Sequence, residues 1–184
     1  MGHHVLLIGM MGAGKTTVGR VLADRMGCGF SDSDAMVVAS TGRTVPELFA
    51  ERGEAAFRAE ETRVLAEAAA SPEPLVIAVA GGAPIQPGNA ELIRAAGFVV
   101  WLRADPAVLA ARVGAGAGRP LLDGGAEANL RRLYETRAPA YATLADLTIE
   151  VGAPDATPNA TATRVLEALS WLQAKKVLPK GGCR

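Results

Sequence analysis

An α/β domain with a parallel sheet covered by helices on both faces is the fold class this sequence predicts. Three observations carry it. Four apolar runs have the length of buried strands, capped helical stretches lie between them, and one glycine-rich loop joins a strand to a helix. The 184 residues fit one domain spanning 1–184. A chain of that size can bury roughly 70% of its unfolded surface without disulfide staples.

The elements follow in order. Val5–Ile8 is the first buried strand. Helical spacing continues from Lys15 through Val18, Val21, Leu22 and Arg25-Met26. Phe30-Ser31-Asp32-Ser33-Asp34 reads as a second strand, or as an Asp/Ser turn with Asp34 capping a helix. Thr44 and Glu47 form a capping box, and Glu54 to Ala70 is rich in helix formers. Leu75–Val79 is a strand leading into Gly81-Gly82-Ala83-Pro84, and Phe98–Leu102 is another. Asp105-Pro106 and Thr157-Pro158 open helices with a capping side chain and a first-turn proline. Between those two openings stand the run Gly114–Gly118, followed by Arg119-Pro120, and the strand Leu147–Val151. The stretch from Lys175 to Arg184 reads as a frayed tail.

Composition narrows the class. Nineteen basic and nineteen acidic residues give zero net charge, which argues against nucleic-acid or membrane-surface binding through a bulk field. Any anion must be met by a few aimed groups. Two cysteines, Cys28 and Cys183, have neither zinc-site nor disulfide spacing. No apolar run approaches the roughly 18 residues of a membrane helix, and the N-terminus lacks a signal-peptide pattern, so the expected compartment is the cytoplasm. No apolar stripe remains beyond what the sheet and helices should bury, so a monomer is expected.

Gly9-Met10-Met11-Gly12-Ala13-Gly14-Lys15-Thr16 is a complete G-x-x-x-x-G-K-T pattern between a strand and a helix. Its glycines let successive amides face phosphate oxygens, and the following helix adds its positive end. Lys15 would reach the β- and γ-phosphates, and the Thr16 hydroxyl would meet Mg²⁺. The guanine-reading N-K-x-D motif is absent, and the strand Leu75–Val79 ends without a metal-binding carboxylate. Asp32 and Asp34 are the candidates for that role; if extended, they share one face, where one supports Mg²⁺ and the other orients or deprotonates an acceptor hydroxyl.

Further motifs stand in register after the loop: Thr41-Gly-Arg-Thr-Val45 with Glu47-Leu-Phe-Ala50, then Gly53-Glu54, Phe57-Arg58 and Glu60. Gly81-Gly82, Arg119-Pro-Leu-Leu122 and Arg137-Ala-Pro-Ala-Tyr141 complete the series. In this order and spacing the chain resembles the shikimate kinases, from the phosphate loop to about Val151. The resemblance implies a three-layer P-loop kinase fold with a five-stranded parallel sheet and a mobile lid at about 112–125. It implies transfer of the ATP γ-phosphoryl group to the 3-hydroxyl of shikimate, in aromatic amino-acid biosynthesis. The catalytic residues would be Lys15, Asp34 and Arg119. Gly12, Ala13, Gly14, Lys15, Thr16, Thr17 and Arg119 would hold ATP, with Thr16 and Asp32 at Mg²⁺. Asp34, Arg58, Gly81, Gly82 and Arg137 would bind shikimate.

Physical chemistry tests part of this. A guanidinium grips a carboxylate with two parallel hydrogen bonds, which suits Arg58 and Arg137 to an acid substrate. Arg58 alone reads equally as a solvated ion-pair ladder with Glu54 and Glu61. Arg119, after a glycine-alanine hinge, suits a closing lid, or else an ordinary loop. Three positions depart from the family pattern: Ala80 replaces the first of three glycines, Val38 replaces a glutamate, and Pro154 replaces an arginine on the adenine side. A P-loop kinase of another small hydroxy acid and a catalytically silent nucleotide-binding paralogue are the alternatives.

Overall fold

The computed structural model describes residues 3–113, 126–153 and 155–175. Five parallel strands form one sheet in the order β2-β3-β1-β4-β5: β1 (His4–Ile8), β2 (Gly29–Asp32), β3 (Leu75–Ala78), β4 (Gly97–Arg103) and β5 (Leu147–Glu150). The four apolar runs are strands, within a residue or two at each end. β1 is central and buried along its length, which is why it reads as a continuous apolar run rather than an alternating one. Leu6 pairs with Ile77 on one side and Val99 on the other.

Among the described residues, seven α-helices flank the sheet. They are α1 (Lys15–Met26), α2 (Ser33–Thr41), α3 (Val45–Ala69), α4 (Asn89–Ala96), α5 (Pro106–Val113), α6 (Ala126–Leu144) and α7 (Pro158–Ala174). The capping box forms: Thr44 N–H donates to Glu47 Oε2 (2.7 Å) and Glu47 N–H to Thr44 Oγ1 (3.4 Å). The helix so started leads into the helix-forming stretch expected from Glu54. It is broken only at Gly53 (φ 76°, ψ 173°), where the chain leaves helical geometry for one residue. Asp105 Oδ1 accepts from Ala107 N–H at the start of α5, and Thr157 Oγ1 accepts from Ala160 N–H at the start of α7.

Most of the core lies between the sheet and its helices. A second, smaller cluster, Val37, Leu48, Phe57 and Val64, packs α2 against α3. Among the described residues no helix is long and apolar enough to cross a membrane. The expected lid begins inside α5, at Arg112 and Val113; its remaining residues, with Arg119, lie outside the described residues, as does the tail beyond Lys175.

Candidate active site

The P-loop follows β1 directly. A Cβ on Gly9 (φ +142°) would lie 2.5 Å from the Leu102 carbonyl of β4, so only glycine allows this approach of loop to strand. Gly12 and Gly14 also have left-handed backbones, and α1 starts immediately after. Lys15 Nζ donates to the carbonyls of Gly9 (2.9 Å) and Met10 (3.2 Å), which holds the ammonium over its own loop. Thr16 Oγ1 donates to Asp32 Oδ2 at 2.7 Å, joining the start of α1 to the end of β2.

That bond corrects one expectation. Asp32 and Asp34 do not share a strand face, because β2 ends at Asp32 and α2 begins at Ser33. Asp32 Oδ1 accepts from the N–H groups of Asp34 (3.0 Å) and Ala35 (3.4 Å), so Asp32, not Asp34, caps the helix. The cap splits the carboxylate between two tasks: Oδ1 starts the helix and Oδ2 faces Thr16. Asp34 sits exposed in the first turn of α2. Helical geometry, rather than strand alternation, brings both carboxylates to one cavity.

Across the cavity, α3 supplies Arg58. Its guanidinium donates to Glu54 (3.0 Å) and Glu61 (2.5 Å) and lies over the Phe57 ring. The ion-pair ladder exists, but its Glu61 rung is not solvated: the Arg58 side chain is 14% exposed and that of Glu61 only 2%. Burial raises the Glu61 carboxyl above its ordinary value, against the pull of Arg58 and with a further push from Asp34. Burial works against the Arg58 charge too, but its pairing with Glu61 and Glu54 outweighs that and raises it. Glu61, the deeper partner, loses more hydration than the pair returns.

The β3–α4 connection closes the floor. A Cβ on Gly82 would lie 2.4 Å from Arg58 Nη1, so the backbone and the guanidinium are in direct contact there. Gly81 lies between Arg137, the Gly9 carbonyl and the Tyr141 hydroxyl. Arg137, on α6, is 4% exposed, and its Nε has no hydrogen-bond partner among the described residues. These groups line one cavity of about 500 Å³ that also holds Gly12, Gly14, Lys15, Thr16, Thr17, Asp32 and Asp34. Ala13 is instead buried behind the loop, with its N–H turned to the Met10 carbonyl (3.3 Å).

Such an arrangement joins a phosphate-binding loop to a pocket for a small anion. The sequence profile described as Shikimate kinase matches residues 11–170. The chain belongs to the shikimate kinase family. A shikimate kinase of Paramagnetospirillum magneticum is 44% identical over 180 residues, covering 97% of this chain and 90% of its own. A solved shikimate kinase from Acinetobacter baumannii in complex with shikimate superposes with a TM-score of 0.86 at 38% identity, covering 92% of this chain and 93% of its own. A gluconokinase from Sinorhizobium meliloti shares the fold alone, at 22% identity and a TM-score of 0.55 over 91% of this chain and 95% of its own.

Within the family pattern, Ala80 is accommodated. It is buried, and its N–H donates to Ser33 Oγ (2.8 Å). Val38 is a surface residue of α2, 39% exposed, and Pro154 lies outside the described residues. Sequence reasoning missed two polar groups that line the cavity. Arg112, in the last turn of α5, donates to the Val151 carbonyl (2.6 Å), a tertiary contact with no local signal. Glu61 did have a signal: it stands on the apolar stripe Phe57, Val64, Leu65 and Ala68, which predicts burial.

Proposed function

We propose that the protein transfers the γ-phosphoryl group of ATP to the 3-hydroxyl of shikimate, giving shikimate 3-phosphate and ADP. The observation that carries this reading is the meeting, in one cavity, of Lys15 and Thr16 with the Asp34 carboxylate and the Arg58 and Arg137 guanidinium groups. Family membership at 44% identity over nearly the whole chain supports the same substrates.

The P-loop amides and the end of α1 receive the phosphates, and Lys15 follows charge on the transferring group. Arg58, Arg137 and the Gly81-Gly82 backbone hold the acceptor by its carboxylate and hydroxyls. Asp34 accepts the proton of the attacking hydroxyl as the new O–P bond forms and the bond to ADP breaks. That transition state is loose, so orienting the hydroxyl is a large part of the Asp34 contribution. Arg119 would close over the phosphates and exclude water, so that ATP is not hydrolysed.

Thr16 Oγ1 and Asp32 Oδ2, 2.7 Å apart at the P-loop mouth, are the hard-oxygen pair that suits Mg²⁺, an ion that keeps several waters and needs few protein ligands. Mg²⁺ held there would supply charge neutralisation on the phosphates. We place the enzyme in the cytoplasm as a monomer and a single domain over residues 1–184. The test is ADP release by the purified protein with ATP, Mg²⁺ and shikimate. Shikimate-dependent turnover is expected. Turnover only with another hydroxy acid would overturn the acceptor, and ATP binding with no turnover on any acceptor would overturn the enzyme reading.

A further inference from the structure

Three buried polar side chains from three helices grip the short connection after β3. Ala80 N–H donates to Ser33 Oγ of α2 (2.8 Å), and the Tyr141 hydroxyl of α6 donates to the Gly81 carbonyl (2.5 Å). Asn89 Nδ2 of α4 donates to the Ala83 carbonyl (3.1 Å). Burying polar side chains is unfavourable unless each is bonded, so their concentration on four residues shows a backbone held to one shape. Tyr141 is the deepest of them. It has no exposed surface, packs against Trp101 and reaches Gly81 across 60 residues of sequence.

The peptide between Gly81 and Gly82 is trans and planar, so its C=O and N–H point in opposite directions. Tying the Gly81 carbonyl to Tyr141 therefore turns the Gly82 N–H away from the phenol. Arg58 stands against the next residue: a Cβ on Gly82 would lie 2.4 Å from its Nη1. Arg137, four residues before Tyr141 on the same helix, flanks Gly81 itself: a Cβ on Gly81 would lie 3.2 Å from Arg137 Nη1 and 3.6 Å from the Tyr141 hydroxyl. Burial pushes the phenol up to about 12, so it remains a donor throughout the neutral range.

We propose that Tyr141 is a positioning residue for the phosphoryl acceptor: through the Gly81 carbonyl it fixes the Gly81–Gly82 peptide, and with it the Gly82 N–H, in the wall where Arg58 and Arg137 meet the backbone. It touches no reacting atom. This inference rests on the reading that Gly82, Arg58 and Arg137 receive shikimate, and the experiment separates the two.

Tyr141→Phe keeps the ring and deletes one hydroxyl. The expected result is a KM for shikimate raised about tenfold, the worth of one well-aimed hydrogen bond, with the KM for ATP within about twofold of wild type. Val165→Ala, a core truncation in α7 remote from the cavity, controls for lost stability and should leave both KM values unchanged. Without any ligand, the Gly82 amide resonance should move in Tyr141→Phe and stay in place in Val165→Ala. A lower Tm in Tyr141→Phe with unchanged KM for shikimate overturns the positioning role, and so does an unmoved Gly82 amide. An equal rise in KM in Val165→Ala overturns it too. Failure of wild type to use shikimate would overturn the acceptor reading instead, while the amide measurement would still decide whether Tyr141 orients Gly82.

Discussion

Removing the Arg58 guanidinium separates its pairing with Glu61 from the hold on shikimate proposed for it. Arg58→Ala takes the counter-charge from Glu61, whose side chain is 2% exposed and bonded to Arg58 at 2.5 Å. Breaking a buried pair from one side costs about 3–5 kcal/mol when the remaining charge cannot escape. Glu61 has an escape, because burial already raises its carboxyl above the usual 4.5, and without Arg58 it takes up a proton still more readily. The expected loss is therefore about 2–3 kcal/mol near pH 8, below the full penalty. The pH dependence has a definite sign. A carboxyl whose pKa is raised on folding contributes stability that is fully present below its unfolded value and is lost as pH rises through its folded value. The deficit of Arg58→Ala should thus grow from pH 5 to pH 8, measured as urea unfolding free energy against wild type. Glu54, 62% exposed, cannot make up the difference, since an exposed partner contributes little. Adding Glu61→Gln removes the stranded charge, so the double variant should regain most of the stability at pH 8. It should not regain the acceptor: kcat/KM for shikimate stays lower by about 2–4 kcal/mol, with the KM for ATP little changed. The reasoning fails if Arg58→Ala is as stable as wild type at pH 8, which would make the pair a surface ladder. It also fails if ATP affinity falls as much as shikimate affinity.

Gly82→Ala places a methyl 2.4 Å from Arg58 Nη1, and two carboxylates stop Arg58 from retreating; the KM for shikimate should rise at least about tenfold, with the KM for ATP unchanged. Asp34→Asn should lower kcat at least about 10²-fold, and steady-state kinetics showing less than a tenfold change would remove Asp34 from the chemistry. His4 is buried at the start of β1, where Nδ1 accepts from Leu75 N–H (3.1 Å), so Nε2 carries the proton donated to the Ala69 carbonyl (3.1 Å). Burial lowers its pKa, which makes its contribution present above about 6.5 and lost as pH falls below it. Thermal melting of His4→Gln should therefore show a shallower acid-side loss of stability than wild type.

The parts legible in the sequence were those whose physics is local. The phosphate loop is eight consecutive residues, and its glycines and lysine cannot be read another way once a strand precedes them. The strands announced themselves because a sheet buried on both faces needs unbroken apolar runs. The aspartate pair was legible in composition and misread in geometry. An extended reading puts Asp32 and Asp34 on one face, but the Asp32 side chain bonds two amides beyond it and the chain turns helical already at Ser33. α6 was hidden because Pro139 interrupts the pattern in its interior, where a helix is normally broken. Arg112 gave no sign at all, since its partner is the Val151 carbonyl of another segment.

Arg58 shows how helix spacing and tertiary packing divide the outcome between them. Residues three and four apart on a helix meet, so Glu54, Arg58 and Glu61 had to form a ladder wherever they stood. What the spacing could not say is which side of the helix faces the second apolar cluster. Phe57 and Val64 decide that by packing against α2, and they carry Glu61 inward with them. The buried acid then fixes the guanidinium against Gly82, aimed into the cavity rather than free on the surface. A chain with zero net charge can therefore bind an anionic acceptor without a bulk field. It buries an acid to hold one arginine still, and it encloses a second, Arg137, so fully that its Nε has no protein partner among the described residues.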